Sequence, residues 1–327
     1  MMHIEANMNC EWSDNFITNN LIPIFTDFGY LFMIISAFGM CCGYYDKTKQ
    51  GKMIPNIFYS KRYKRLLPFF ALLVMINVIM DHNVNAIYEG FADLTMCFNL
   101  LPNPDIKVIG VGWYLGLVFL FYMLFPFFVF LIDNKKRAWM TMIVSLLLCY
   151  SCINYFFTSD FVDFNVGRVN ILYSAPLFIT GGILYLYKDI LKQFSSNYGM
   201  GVLIAFLLLF SLQFITPYLF KNIGKVIGMC LIYGIILIYA IGNSPKFFTN
   251  RITKYIGDIS LEIYLCHMVM FRGISLLHLE TFIANKYLLY AVTCVLVLTA
   301  AVVFSHLIKY VVFPRLSALP LKKVMHA

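Results

Sequence analysis

Four cations stand at the mouth of an apolar run in the stretch FYSKRYKRLLPFF, Phe58 to Phe70. Lys61, Arg62, Lys64 and Arg65 lead into Leu66, Leu67, Pro68, Phe69 and Phe70. Two kinds of chemistry fit. The charges can hold a loop on one face of a membrane. Alternatively, the two arginines grip an anionic donor, because a guanidinium presents a fixed fork that matches phosphate oxygens. Arg62 and Arg65 are three apart, so on a helix they share a face. Other ionisable residues lie in apolar surroundings. His267 falls inside the run YLCHMVM, where an ionisable side chain is costly and turns toward a bundle interior; a structural hydrogen bond is the plainer role. Arg168 opens an apolar run after DFVDFNVG. Asp258 and Glu262 stand near the start of a late run, where a helix dipole favours acids. His82 begins a polar loop, and His278 and His306 stand at run ends or in helix packing.

These residues need elements to position them, and composition says what kind. The chain has 327 residues, 61% hydrophobic and 13% charged, against about 25% charged in soluble domains. Apolar runs near 20 residues recur, each long enough to cross a bilayer as a helix. The pattern predicts an all-α polytopic transmembrane bundle with nine spans, near 25–45, 66–80, 111–132, 138–157, 168–187, 199–217, 226–243, 257–278 and 288–312. One domain is expected over 1–327. The net charge of +9 is read by position, not as a nucleic-acid surface. Nine cysteines show no paired metal-site spacing. Apart from Cys10 they sit in or near apolar runs, as inert buried thiols do, and no metal is expected.

Alternating the loops gives a test. If residues 46–65 are cytoplasmic, the same side holds 135–137, 188–192, 246–254 and 309–323, and 19 of the 25 Lys and Arg. The other side keeps Lys107, Arg168, Lys221, Lys225, Arg272 and Lys286, beside the acids Asp81, Glu89, Asp93, Asp105, Asp160 and Asp163. Basic residues favour cytoplasmic loops, so the C-terminus is expected in the cytoplasm. The polar start MMHIEANMNCEWSDNF is not a signal peptide. Its place on the outer side leads to the expectation of a tenth helix upstream of Met1.

Four motifs in order now bear on function. FMIISAFGM followed by FYSKRYKRLLPFF resembles the second and third spans of the membrane acyltransferase-3 family, with its Ser-Gly-Phe turn and Arg-x-x-Arg pair. Here the turn is Ser36-Ala37-Phe38, and the pair is Arg62 and Arg65 before Pro68. GWYLGLVFLFYMLFP resembles the family's Trp-x-Leu, Phe-Tyr, Pro helix through Trp113, Leu115, Phe121, Tyr122 and Pro126. YIGDISLEIYLCH resembles its late segment through Gly257, Ser260, Tyr264 and His267. The departures are Ala37 in place of the family glycine, and Val118 and Phe119 where many relatives carry a glutamate pair.

The resemblance implies a membrane enzyme that moves an acyl group, usually acetyl, onto a hydroxyl of an envelope carbohydrate. The donor would be acetyl-CoA, with no permanently bound cofactor. The family's catalytic histidine falls on His3, although its basic partner has no counterpart here. Arg62, Arg65 and Ser36 fall at the donor end. Acyl transfer to a hydroxyl needs a base with a pKa near neutrality, which imidazole supplies. Trp113, Tyr122, Arg168, Tyr264 and His267 are acceptor-side or structural residues. Trp113 and Tyr114 are aromatic-belt anchors or a sugar-stacking surface; Arg168 pairs with Asp163 or holds a glycan hydroxyl. The expected partners are acetyl-CoA, a surface glycan and the bilayer, in a bacterial inner membrane. Two other readings remain: a transporter or glycan flippase, which would show two related halves, and a relative without catalysis. No P-loop, dinucleotide fingerprint or His-Glu-x-x-His is present.

Overall fold

The computed structural model describes residues 2–8, 20–100, 110–156, 167–243 and 249–318. Among them every element is helical and no strand occurs. In chain order the helices are α1 (Met2–Asn7), α2 (Phe28–Lys49), α3 (Pro55–Asp81), α4 (Val84–Leu94), α5 (Trp113–Leu131), α6 (Lys135–Ser151), α7 (Ile171–Leu186), α8 (Lys188–Ile215), α9 (Asn222–Gly242), α10 (Arg251–Ser275), α11 (Lys286–His306) and α12 (Phe313–Ala318). Each of the nine expected spans has its helix. Seven of the described segments are long and apolar enough to cross a membrane.

The two remaining expected spans differ for physical reasons. Helix α7 has only 16 residues, but from Tyr173 to Tyr185 it is buried almost without interruption. Protein, not lipid, surrounds it. Helix α10 carries Arg251, Lys254, Asp258, Glu262 and Arg272; Glu262 pairs with Arg65 and Lys309, and Arg272 with Asp81 and Asn77.

Two boundaries shift. The span expected at 66–80 begins at Pro55, which fits the first helical turn because its missing N–H needs no partner there. Lys61 to Arg65 therefore lie on α3 itself and not in a loop. The span expected from 199 is continuous with α8, and a kink at Tyr198 marks the place where the membrane-length part starts. Helix α4 lies in what reads as a loop. Asparagine sets several starts: Asn83, Asn134, Asn170, Asn250 and Asn285 accept backbone N–H groups at the heads of α4, α6, α7, α10 and α11.

Helix α5 is the axis of the bundle. One side of it packs with α2, α7 and α9, where Phe121 stacks on Phe178 at 4.2 Å. The other packs with α3, α10 and α11 around Phe70, Phe119 and Leu265. The ion pairs respect the alternation of sides. Lys49–Asp133, Arg65–Glu262 and Lys309–Glu262 join one end of the bundle; Asp27–Lys225 and Asp81–Arg272 join the other. We call the first the basic end.

Candidate active site

Away from the basic end, helix starts converge on a cavity of about 160 Å³. Its walls include His3, Thr26, Phe32, Trp113, Arg168, Tyr264 and His267. Helix α1 reaches the site because Ile4, 2% exposed, packs with Phe271, Cys294 and Val297 of α10 and α11. That contact turns His3 toward α10, where its ring centroid stands 5.7 Å from that of His267. The His267 Nδ1 lies 2.6 Å from the Tyr264 carbonyl oxygen. The carbonyl can only accept, so Nδ1 carries the proton and Nε2 keeps its lone pair. Burial, and after it the positive charge of Arg168, lowers the pKa of His3. A lowered value keeps its imidazole neutral and able to take a proton near pH 7.

The opposite wall is built on Trp113 and Arg168. The Arg168 guanidinium lies 5.0 Å from the Trp113 ring centroid, a cation–π contact. Asn99 ties the two backbones together by donating to the carbonyls of Trp113 (2.9 Å) and Val169 (3.3 Å). Ser174 adds a bond to the Arg168 carbonyl. The expected Arg168 partner Asp163 lies outside the described residues, as do Cys10 and the acids Asp105 and Asp160. Below the cavity Tyr114 is buried against Phe32 and Tyr264.

The polar line continues toward the basic end along one stripe of α2. Gly29, Phe32 and Ser36 follow at intervals of three and four, so they share a face. From Gly29 to Ser36 the helix rises roughly 10 Å. Ser36 Oγ is 3.2 Å from Tyr122 Oη, and the Tyr122 ring faces the Arg62 guanidinium at 5.5 Å. Arg62 donates to Tyr44 Oη at 3.1 Å and lies over the Tyr44 and Phe58 rings. Its Nε is buried without a hydrogen-bond partner, and no carboxylate pairs with it among the described residues.

Arg65 has a different environment. Its Nη1 donates to Glu262 Oε1 at 2.9 Å, and its Nη2 to the Asp258 carbonyl. Lys309 is 3.2 Å from the same Glu262 oxygen and also donates to the Asp258 carbonyl. Glu262 is 4% exposed. The helix-start role expected for Asp258 and Glu262 is thus corrected: Glu262 is the buried counter-ion that joins α10 to α3 and to the π-helical turn Leu307–Val312 that follows α11. The structure brings Arg62, Ser36 and Tyr122 together, sets Arg65 apart, and gathers His3, His267, Trp113, Arg168 and Tyr264 in one cavity. Sequence reasoning missed Asn99, which no spacing or motif marks out, and Tyr114, expected beside Trp113 at the interface, is instead buried against Phe32 and Tyr264. His82 is exposed, in a left-handed cap after α3, and His278 pairs with Glu280 on the surface.

These features define an integral membrane helical bundle that holds a histidine pair in a polar cavity, with an uncompensated arginine nearer its basic end. Residues 14–306 match the acyltransferase-3 family, described as "Acyltransferase domain", and the chain belongs to this family. It is also 24% identical over 226 residues to a protein of Acidianus two-tailed virus named "Putative acetyltransferase ORF330". That alignment covers 65% of this chain and 64% of the viral protein, a little under two thirds of the relative's length. No solved structure matches the chain.

Proposed function

We propose that this protein is a membrane O-acyltransferase that moves an acetyl group from acetyl-CoA to a hydroxyl of an envelope carbohydrate. The observation that carries the reading is the His3 imidazole at the polar cavity it shares with His267, Arg168 and Trp113. His3 takes the proton as the acceptor oxygen attacks the thioester carbonyl carbon. A C–O bond forms, the C–S bond breaks, and the coenzyme leaves as a thiolate that regains a proton. Trp113 offers a flat face to a sugar ring, and Arg168 beside it a donor to ring hydroxyls. His267, fixed through Nδ1, supports His3 from the neighbouring helix α10.

Donor binding is assigned to Arg62, with Ser36 and Tyr122 leading from it toward the cavity. Family membership and the unpaired, aromatic-lined guanidinium support this assignment. The basic end then faces the cytoplasm, where coenzyme A thioesters are made, in a bacterial inner membrane. The C-terminus lies on that same side.

The test is ester-linked acetate on purified envelope glycans from a strain carrying His3→Ala at the native locus. General-base removal costs about 10²–10⁴ in rate, so acetate should fall to background at unchanged protein level. Unchanged acetate in this strain and in a full gene deletion would reject the reading and favour a transporter.

A further inference from the structure

A second cavity, of about 540 Å³, opens on the lipid-facing side of α6 and α9, with α7 as its floor. Met142, Ile183, Leu184, Ile227, Leu231 and Ile238 give it an apolar wall. From Ile227 to Ile238 the slot follows α9 for roughly 16 Å. Its one hydroxyl-bearing floor residue, Thr180, already donates to the Pro176 carbonyl, so the interior asks for no water.

Gly234 sets the width of this slot. It is enclosed within α9, yet a Cβ there would meet only Thr180 Cγ2, at 3.7 Å. A glycine inside a helix costs about 0.5–1 kcal/mol relative to alanine. No close helix approach requires it here; what it preserves is open volume.

The end of the slot nearer the basic end is polar in a specific way. Trp139 Nε1 donates to Tyr187 Oη at 3.3 Å, and both side chains line the cavity. Lys135 Nζ lies 4.5 Å from the Tyr187 ring centroid. Lys135 is one helical turn from Trp139, so both are on the same stripe of α6. It has no carboxylate partner among the described residues. An apolar slot with an aromatic collar and an unpaired cation at its mouth is complementary to a hydrocarbon chain that ends in an anion.

We propose that this groove is a binding site for an anionic phospholipid of the leaflet at the basic end. One acyl chain fills the slot over Gly234, and the phosphate sits at Lys135 beside Trp139 and Tyr187. The site lies outside the histidine cavity, shares no residue with it, and does not depend on the proposed reaction.

Native mass spectrometry of the full chain, titrated with phosphatidylglycerol or phosphatidylcholine, tests the site. The native protein should hold a phosphatidylglycerol about tenfold more tightly than phosphatidylcholine. Lys135→Glu should abolish that preference. Gly234→Leu should lose both lipids, while Gly234→Ala, whose methyl group fits, retains them. Unaltered lipid retention in G234L with a native thermal midpoint would overturn the proposal. So would equal affinity for the two headgroups, or a dimer in the native protein that G234L dissociates.

Discussion

At the scale of single residues, two arginines of one motif have separate surroundings. Arg65 is half of a buried pair with Glu262, which Lys309 also contacts. Removing Arg65 leaves a desolvated carboxylate with one cation. Because Arg65 is itself 42% exposed, the loss of stability should be modest, roughly 1–2 kcal/mol. Arg62 has no acid to release. Arg62→Ala should therefore raise the donor KM about tenfold or more with little change in thermal midpoint, and Arg65→Ala should lower the midpoint. Donor kinetics and melting curves on both variants check this, and the reverse pattern would exchange their roles. Asp93 makes a pH prediction. It is 1% exposed, its Oδ2 lacks a partner, and burial, then Glu89, raises its pKa from 3.8 to about 8. The folded state thus holds the proton more tightly than the unfolded state. The associated stability is complete below pH 4, drains as pH rises and is gone above about 8. Asp93→Asn should flatten this dependence and raise the melting temperature at pH 9; an unchanged pH profile would reject it.

At the scale of elements, the closest approach is between α2 and α7. A Cβ on Gly181 would come within 2.3 Å of the Ile34 carbonyl oxygen and 2.8 Å of Ala37 Cβ. This contact explains why the alanine at position 37, where the family has glycine, is accommodated: Gly181 on α7 has no side chain and leaves room for the Ala37 methyl group. Gly181→Ala should push α2 outward and cost about 1–3 kcal/mol, as overpacking does. Because α2 carries Phe32 and Ser36, transfer should fall with stability. A thermal midpoint equal to that of the native protein would show that the two helices part without strain. Element boundaries were nearly legible where composition changes sharply, as at α6 and α11, expected from 138 and 288 and found from Lys135 and Lys286. They were not legible at Pro55, because the four cations of Lys61 to Arg65 read as loop while their stems allow a helix to reach water.

At the scale of the whole molecule, the chain's two ends separate charge. Thiol labelling is the direct check. In a variant without Cys10 and the exposed Cys42 and Cys97, Lys136→Cys should react with a membrane-impermeant reagent only in inside-out vesicles. Leu277→Cys should react only in intact cells. Labelling of both from one side would break the alternation of spans.

The sequence by itself determined the class, and seven of its nine expected spans are helices long and apolar enough to cross a membrane. Apolar length and basic loops are local properties, and the bilayer reads them directly. It also determined the family, through four motifs in order that the match over residues 14–306 bears out. Only the tertiary structure decided which polar residues meet. His3 and His267 are far apart along the chain, and nothing local couples them. Docking of Ile4 against α10 and α11 does so, and burial of Glu262 draws Arg65 away from Arg62. A desolvated ion takes whichever partner the packing brings within reach, and that depends on helix positions that no short stretch of sequence contains.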